Sequence, residues 1–320
     1  MNNSIFNIKL KEYPIGFIST CLGAVTLSNV CDALQLTVIK PIFIIIGCLA
    51  LIAGVCKLIK YPGEIWKEMN NTIVMALYPT STMLLMNIGA YFIKFNYTLG
   101  RTLWFIGLII NIFFVIFFLI RHVLLGFNMK FVLPCWYALL VGVSVSCTTS
   151  PQVNAVKLVT PIFYFVVITF FTFLPVVIYR LATLEVPDAQ LPFIAIIAAP
   201  ASLCTISYIT LFKNANMSIV MFFFIITLIT TVYVYVNLPK ILSLRFSVAY
   251  AALTFPLAVS CVASLKVKAY LLSLGYNAIS NVVSQILAVE FFVATVIIGF
   301  VLYNFIFNYL FNFRIKKFCK

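Results

Sequence analysis

Charged side chains are scarce in this 320-residue chain, where they make up only 9% of the sequence. Soluble domains carry about 25% charged residues, so a water-soluble globular fold is excluded. Hydrophobic residues account for 64% of the chain instead. No soluble domain and no Gly/Ser-rich linker interrupts the apolar segments. The composition therefore predicts an all-α polytopic membrane protein with a single transmembrane domain over residues 1–320.

Histidine and closely spaced cysteines are also scarce. The chain has one histidine and nine cysteines, and none of the cysteines forms a C-x-x-C pair. A metal site of the His/Cys type needs such clusters and is disfavoured by their absence. We therefore expect no metal and no cofactor, and we expect the thiols to act as small buried hydrophobic groups.

Catalytic motifs are missing from the apolar segments as well. There is no H-E-x-x-H sequence, no Ser–His arrangement at membrane depth and no pair of aspartates within a span. An intramembrane enzyme is therefore disfavoured. A receptor or scaffold is disfavoured too, because the sequence offers no extramembrane domain that would do the binding. Transport of a solute is the class of function that remains.

Acidic residues are few: seven Asp and Glu stand against 21 Lys and Arg, which gives a formal net charge of +14. A basic balance of this size can mark nucleic-acid binding, but here the charges lie singly between apolar segments. That distribution is typical of loop charges that set membrane topology, and it creates a positive potential that attracts anions. We therefore expect the partners to be the lipid bilayer and a small anion, and we expect no nucleic acid.

Ten apolar runs are each long enough to cross a bilayer, whose hydrocarbon core takes about 20 helical residues. The linkers between them are short, so consecutive helices should form antiparallel hairpins. We expect a basic cytoplasmic tail at 307–320. The predicted spans are 14–34, 39–59, 73–93, 100–120, 132–150, 158–180, 191–212, 217–238, 246–266 and 284–306.

Basic residues are distributed unevenly between the two sides that these spans define. Fourteen of the 21 lie in segments on the side of the N-terminus, and seven lie on the other side. In membrane proteins the cytoplasmic loops carry the excess of Lys and Arg. The distribution predicts a multi-pass protein of the plasma or inner membrane with both termini in the cytoplasm.

A proline recurs near the start or middle of every odd-numbered span, followed by small or hydroxylated residues. Even-numbered spans are richer in Phe, Ile and Val, as in NIFFVIFFLI at 111–120. Helices with small and polar residues belong inside a membrane bundle, whereas aromatic helices face lipid. The pattern predicts five inner helices ringed by five outer ones, with a pore at the centre. The five prolines are Pro14, Pro79, Pro134, Pro200 and Pro256.

The ninth span has a proline at its centre, in the sequence FSVAYAALTFPLAVSCVASL at 246–265. Pro256 has no N–H, so the Ala252 carbonyl loses its helical partner and the helix should kink or break. A broken helix is tolerated in a membrane only where it faces protein or a water-filled cavity. The ninth span is therefore a candidate pore helix, although taken alone the proline also fits a packing kink.

Four segments of the odd-numbered spans resemble the tellurite-resistance/dicarboxylate transporter family, which includes the slow anion channels of plant guard cells. They are PIGFISTCLGAVTLS (14–28), ALYPTSTMLL (76–85), AAPASLCTISY (198–208) and VAYAALTFPLAVSCVASL (248–265). The resemblance runs from the first span to the tenth. It implies ten helices arranged as five hairpins around a central pore, usually in a homotrimer.

The same resemblance implies a gate. In that family a Phe in the ninth helix blocks the pore, and the matching residue here is Phe255 in the T-F-P motif. Without the resemblance, Phe255 is one of 32 Phe residues, most of which pack between helices. The first helix departs from some relatives by having Cys21 where they carry a second Pro, which alters the expected pore shape there.

We predict that small and hydroxylated residues of the inner helices line the pore beside Phe255. The seventh and ninth spans carry no ionisable group at membrane depth, so an ion cannot be held there by fixed charge. Hydroxyls and backbone N–H groups at helix breaks would instead replace part of its hydration shell. The alternative is that these hydroxyls bond to carbonyls one turn earlier in their own helix. The predicted lining residues are Gly23, Pro79, Thr80, Gly142, Ser144, Pro200, Ser202, Thr254 and Pro256.

One acidic residue, Glu290, lies deep in a predicted span, the tenth. Carboxylates at that depth are costly and are candidates for function, so a proton-coupling role is one hypothesis. Because the tenth helix should be an outer one, a structural hydrogen bond is the alternative.

The sequence as a whole predicts a channel or transporter for small anions (chloride, nitrate, sulfite, tellurite or a C4-dicarboxylate) with an aromatic gate. A proton-coupled carboxylate carrier that uses Glu290 is the second hypothesis.

Overall fold

The computed structural model describes residues 10–129 and 132–308 of the chain. Helices account for the regular structure of these residues, among which there is no β-strand. Nine helical segments are long and apolar enough to cross a bilayer, and a shorter apolar segment, Trp136–Thr149, lies between the fourth and fifth of them. The predicted all-α polytopic membrane fold is confirmed. Residues 309–320 of the predicted tail lie outside the described residues.

We number the ten helices in chain order and count the shorter segment as the fifth. Short helical segments precede three of them: Thr72–Met75 before the third, Asp188–Ile197 before the seventh and Val248–Tyr250 before the ninth. The bounds of the ten are Ile15–Ala33, Ile39–Lys60, Pro79–Phe92, Tyr97–Phe118, Trp136–Thr149, Val156–Thr183, Ala198–Leu211, Met217–Leu242, Ala251–Ser273 and Asn277–Ile306.

The odd-numbered helices form the inside of the bundle and the even-numbered helices form the outside. In the most apolar stretches of the first, third, seventh and ninth helices, 67% to 89% of the residues are buried, against 22% to 39% in the even-numbered helices. The large side chains exposed on the outer helices are mainly Ile, Val, Leu and Phe, as expected where lipid is the solvent. The inner helices therefore carry the groups that can meet a solute.

Prolines of the inner helices mark helix starts. Pro79 is the first residue of the third helix, and Pro200 lies in the first turn of the seventh. The first turn of a helix leaves its N–H groups without intrahelical acceptors, so proline is tolerated there. Pro256 lies further in, yet the ninth helix continues through it from Ala251 to Ser273. Of the expected kink or break, the break is absent: the helix is continuous, and Pro256 leaves the Ala252 carbonyl without its helical N–H partner.

The fifth helix is the interrupted one. It consists of two short α-helical segments, Trp136–Leu140 and Val145–Thr149, joined by a 3-10 turn at Gly142–Ser144. The sequence suggested a continuous span over 132–150. The interruption falls at Gly142, a residue type that weakens a helix interior, and the space left by its missing Cβ is taken by the end of the Met83 side chain.

Glycine also allows the first and ninth helices to pack closely. A Cβ added at Gly23 would lie 2.7 Å from the backbone carbonyl carbon of Thr254, an approach that only glycine permits. The hydroxyl of Thr254 donates to the Ala251 carbonyl at 2.8 Å, within its own helix. Because Phe255 is the next residue, its backbone is positioned by contact with the first helix.

Both ends of the described chain lie on one face of the bundle. The rings of Phe17, near the start of the first helix, and Phe305, near the end of the tenth, have centroids 5.9 Å apart. We call this the N-terminal face. All five inner helices begin at this face, since each is followed by an antiparallel outer helix that returns to it.

Candidate functional site

Two cavities follow one another along the axis of the inner helices. The narrow cavity has a volume of about 20 Å³, and the wide cavity has a volume of about 510 Å³. Along each inner helix, the residues that line the narrow cavity come before those that line the wide cavity, and Leu203 and Phe255, at the junction, line both. The third helix, for example, contributes Thr80 to the narrow cavity and Asn87 to the wide one. The narrow cavity therefore lies toward the N-terminal face.

Phe255 and Leu203 are the residues that border both cavities in the described part of the chain. Phe255 is 8% exposed and Leu203 is 2% exposed. Phe255 comes from the ninth helix, and Leu203 comes from the seventh. We call the pair the constriction, because the space along the axis divides at these two apolar side chains.

The structure brings part of the predicted lining together. Thr80, Gly142, Pro200 and Pro256 line the narrow cavity, and Phe255 borders it. The other five predicted residues line neither cavity: Gly23, Pro79, Ser144, Ser202 and Thr254.

In the structure these five residues pack between helices. Gly23 is pressed against Thr254. Pro79 is the first residue of its helix, and its carbonyl accepts from the hydroxyl of Thr82 at 2.7 Å. Ser144 and Ser202 lie fully buried in contact with their own backbone. Small residues of this kind let inner helices approach one another, and they do so by not facing the open space.

Most of the predicted hydroxyls are already engaged by their own helix. Thr80 donates to the Leu77 carbonyl at 2.6 Å, which leaves its hydroxyl with no second hydrogen to offer. Ser144 and Ser202 do the same with carbonyls at 2.6 Å and 2.7 Å. A hydroxyl has one O–H donor, and an anion needs donors. These side chains therefore cannot donate to an anion in this conformation.

Sequence reasoning missed Ser19 and Leu203. Ser19 lies in the PIGFISTCLGA segment of the first helix, lines the narrow cavity, and has a hydroxyl without a hydrogen-bond partner among the described residues. Leu203 lies three residues after Pro200, within the AAPASLCTISY segment. Both are in stretches that the sequence singles out, but no sequence signal distinguishes them from their neighbours on the same helix.

The wide cavity is lined by three lysines and by no acidic residue. Lys40 is neutralised by Asp32, whose carboxylate lies 2.8 Å from its ammonium group. The ammonium group of Lys94 lies 4.2 Å from the ring centroid of Tyr91, and Lys266 makes no ion pair with the residues that the structure describes. Two uncompensated positive charges therefore lie at the wide cavity, which makes its field attractive to anions.

Glu290 lies apart from both cavities. It is 2% exposed, and one carboxyl oxygen accepts a hydrogen bond from the Ser264 hydroxyl at 2.5 Å. The other oxygen has no hydrogen-bond partner within the described ranges. Ser264 belongs to the ninth helix, so Glu290 ties the tenth helix to the back of the helix that bears Phe255.

A comparison with curated proteins found no match to this chain. The family profile described as voltage-dependent anion channel matches residues 12–306, which is nearly the whole chain. That range contains all ten helices, the constriction and both cavities. The anion is thus the substrate, and the bilayer is the surrounding medium of this multi-pass protein. The chain belongs to the voltage-dependent anion channel family, and it is a membrane channel or transporter for anions.

Proposed function

We propose that this protein conducts small anions along the axis of its five inner helices and that Phe255 is the gate. The observation that carries the proposal is the division of the axial space at Phe255 and Leu203. The substrate is a small mono- or divalent anion such as chloride, nitrate, sulfite, tellurite or a C4-dicarboxylate.

The gate works by excluding water. A hydrated anion cannot enter a gap between two apolar side chains without losing its hydration shell, so the gap is a barrier even where it is not sealed. Movement of the Phe255 ring away from Leu203 joins the two cavities and lets water in. No charge has to move in this step, because neither residue is ionisable.

Selectivity for anions rests on charge outside the constriction. Lys94 and Lys266 raise the local concentration of anions at the wide cavity. No carboxylate among the described residues lines either cavity, so a cation has no counter-charge along the path. Discrimination by sign therefore occurs before the ion reaches Phe255.

We place both termini in the cytoplasm, on the strength of the uneven distribution of basic residues. The N-terminal face is then cytoplasmic, and the wide cavity opens to the outside of the plasma or inner membrane. We also propose a homotrimer, in keeping with the family resemblance. The apolar outer helices would supply both the lipid-facing and the subunit-facing surfaces of such an assembly.

A proton-coupled carboxylate carrier is less well supported. Glu290 lines neither cavity, and its hydrogen bond to Ser264 serves to join two helices. A coupling residue has to exchange protons with the path of the substrate. The position of Glu290 therefore favours its structural role.

Ion-replacement measurements on the purified protein in planar bilayers test the proposal. With different chloride and potassium gradients, the reversal potential should follow chloride. A reversal potential that follows potassium would refute anion conduction. Strictly proton-dependent uptake without a measurable current would favour the carrier.

A further inference from the structure

We propose that the hydroxyl of Ser19 is the hydrogen-bond donor that an anion meets beside the constriction. We further propose that the hydroxyl of Thr26, on the same face of the first helix, is the corresponding donor on the other side of the constriction, in the wide cavity. The inference rests on the proposed anion path through the axis. It assigns these hydrogen-bond donors to the first helix and not to the other four inner helices.

Ser19 is the hydroxyl that remains available in the narrow cavity. Three hydroxyl-bearing residues line this cavity: Ser19, Thr80 and Tyr137. Thr80 donates to the Leu77 carbonyl at 2.6 Å, and Tyr137 donates to a carbonyl of the sixth helix at 3.4 Å. Ser19 is 2% exposed, yet its hydroxyl makes no hydrogen bond with any residue in the described ranges.

Thr26 is a second residue with an unpaired hydroxyl, and it lies at the wide cavity. It lines that cavity, is 6% exposed, and has a buried hydroxyl with no partner among the described residues. Residues seven apart lie on the same face of an α-helix, and two turns separate them by about 10 Å. Between Ser19 and Thr26 on this face, Gly23 touches Thr254, the residue before Phe255. The two hydroxyls therefore flank the constriction along the axis.

An unpaired buried hydroxyl is unusual enough to need an explanation. Most buried polar groups are hydrogen-bonded, since an unpaired one loses its bonds to water without gaining others. Most other Ser and Thr side chains of the inner helices avoid this cost by bonding to their own backbone, as Thr20 does with the Gly16 carbonyl at 2.9 Å. Ser207 and Thr210 of the seventh helix are also unpaired among the described residues, but they line neither cavity. A passing anion would supply the missing acceptor at Ser19.

The chemistry of such a donor defines a class of preferred substrate. A hydrogen bond to a charged acceptor is about twice as strong as one between neutral groups. An anion with concentrated charge, such as chloride or a small oxyanion, gains more from it than a large, diffuse anion such as iodide. We therefore expect Ser19 to favour anions that accept strong hydrogen bonds over weakly hydrated anions.

The test measures the chloride-to-iodide permeability ratio in the Phe255→Ala protein, whose open gate gives a measurable current. Adding Ser19→Ala should lower the ratio by about threefold or more, because chloride loses a stronger hydrogen bond than iodide does. Ser19→Thr keeps the hydroxyl and should restore the ratio, while Ser19→Cys, a weak donor of similar size, should fall between. Thr20→Val is the matched control. It removes the neighbouring hydroxyl of the first helix, which is already engaged with the Gly16 carbonyl and lines neither cavity, so the ratio should not change.

A ratio within about twofold of the parent in Ser19→Ala would overturn the assignment, as would an equal drop in Thr20→Val. A folded Phe255→Ala protein without anion current would refute the proposed function instead. In that case chloride titration of thermal unfolding decides the role of Ser19. Chloride should then raise the melting temperature of the wild type more than that of Ser19→Ala, and equal stabilisation would overturn the assignment.

Discussion

Phe255 is the residue whose replacement separates gating from packing. Phe255→Ala removes the ring from the constriction without removing a charge or a hydrogen bond, so water can fill the gap. We expect anion flux per folded protein to rise by about tenfold or more, with anion-over-cation selectivity unchanged. The measurement is flux into liposomes, normalised to protein recovered as a single peak in size-exclusion chromatography.

Leu257→Ala is the matched control for Phe255→Ala. Leu257 lies two residues further along the same helix, is fully buried and lines neither cavity. Its replacement should lower stability by about 2–5 kcal/mol without raising normalised flux. If Phe255→Ala behaved in the same way, Phe255 would be a packing residue and the gate assignment would be wrong.

Glu290 gives a second prediction at the scale of single residues. Glu290→Gln keeps an oxygen that can accept from Ser264, so we expect folding, flux and the pH dependence of flux to stay close to the wild type. Ser264→Ala removes the donor and should destabilise the fold by about 1–3 kcal/mol. Loss of pH-dependent uptake in a well-folded Glu290→Gln protein would support proton coupling after all.

The sequence predicts which helices, and which residue types, lie near the axis of the bundle. It predicts less well which individual side chains on those helices point toward the axis. Thr80 and Ser202 both follow a proline by one or two positions in inner helices, yet Thr80 lines a cavity and Ser202 does not. Helix rotation decides this, and it depends on contacts with neighbouring helices. Ser19 could not be identified from the sequence for a similar reason, because only the structure shows that its hydroxyl lacks a partner.

At the scale of helices, the contact between the first and ninth helices sets the position of Phe255. Gly23→Ala adds a Cβ 2.7 Å from the Thr254 backbone, so the two helices have to move apart. We expect a loss of stability of about 1–3 kcal/mol, measured as a lower melting temperature, together with altered resting flux. The altered flux follows from the displacement of Phe255.

Gly299→Ala is the matched control for this change. A Cβ at Gly299 in the tenth helix would have no atom within 4 Å. Alanine favours the helix over glycine by about 1 kcal/mol, so this variant should be neutral or slightly more stable. Equal melting temperatures for Gly23→Ala and the wild type would contradict the view that the first helix holds the ninth in place.

The alternation of inner and outer helices was predictable, because small and hydroxylated residues concentrate in the odd-numbered spans and Phe, Ile and Val in the even-numbered ones. The positions at which the inner helices are interrupted were not predictable. Pro256 has a strong local reason to break a helix, but the break lies in the fifth helix, where Gly142 meets Met83. A glycine breaks a helix only weakly on its own. The packing of Gly142 against Met83 involves another helix and cannot be read from the local sequence.

At the scale of the whole molecule, the positive charge that lines the axial space is at the wide cavity. Replacing Lys94 and Lys266 by Gln removes two positive charges from its lining. We expect anion flux at low salt to fall by about threefold or more, and the difference to shrink as salt screens the field. Conductance measured over a range of ionic strengths checks this.

Lys157→Gln and Lys213→Gln are the controls for charge. Both lysines follow inner helices on the face of the wide cavity, but neither lines it. Their replacement should change flux much less. An equal effect of both pairs would mean that the general charge of this face, and not the charge of the cavity, attracts the anion.

The two cavities have unequal volumes, about 510 Å³ and 20 Å³, so a large blocking compound should be able to bind on one side of the protein and not on the other. A bulky organic disulfonate, too large to permeate, has room to lodge among the lysines at one mouth and has none at the other. Such a compound should inhibit the current from one side of the bilayer only. Added to the outside of proteoliposomes, it would block the molecules inserted in one direction and leave the others conducting. The blocked fraction of the flux would then report the orientation of the protein in the bilayer.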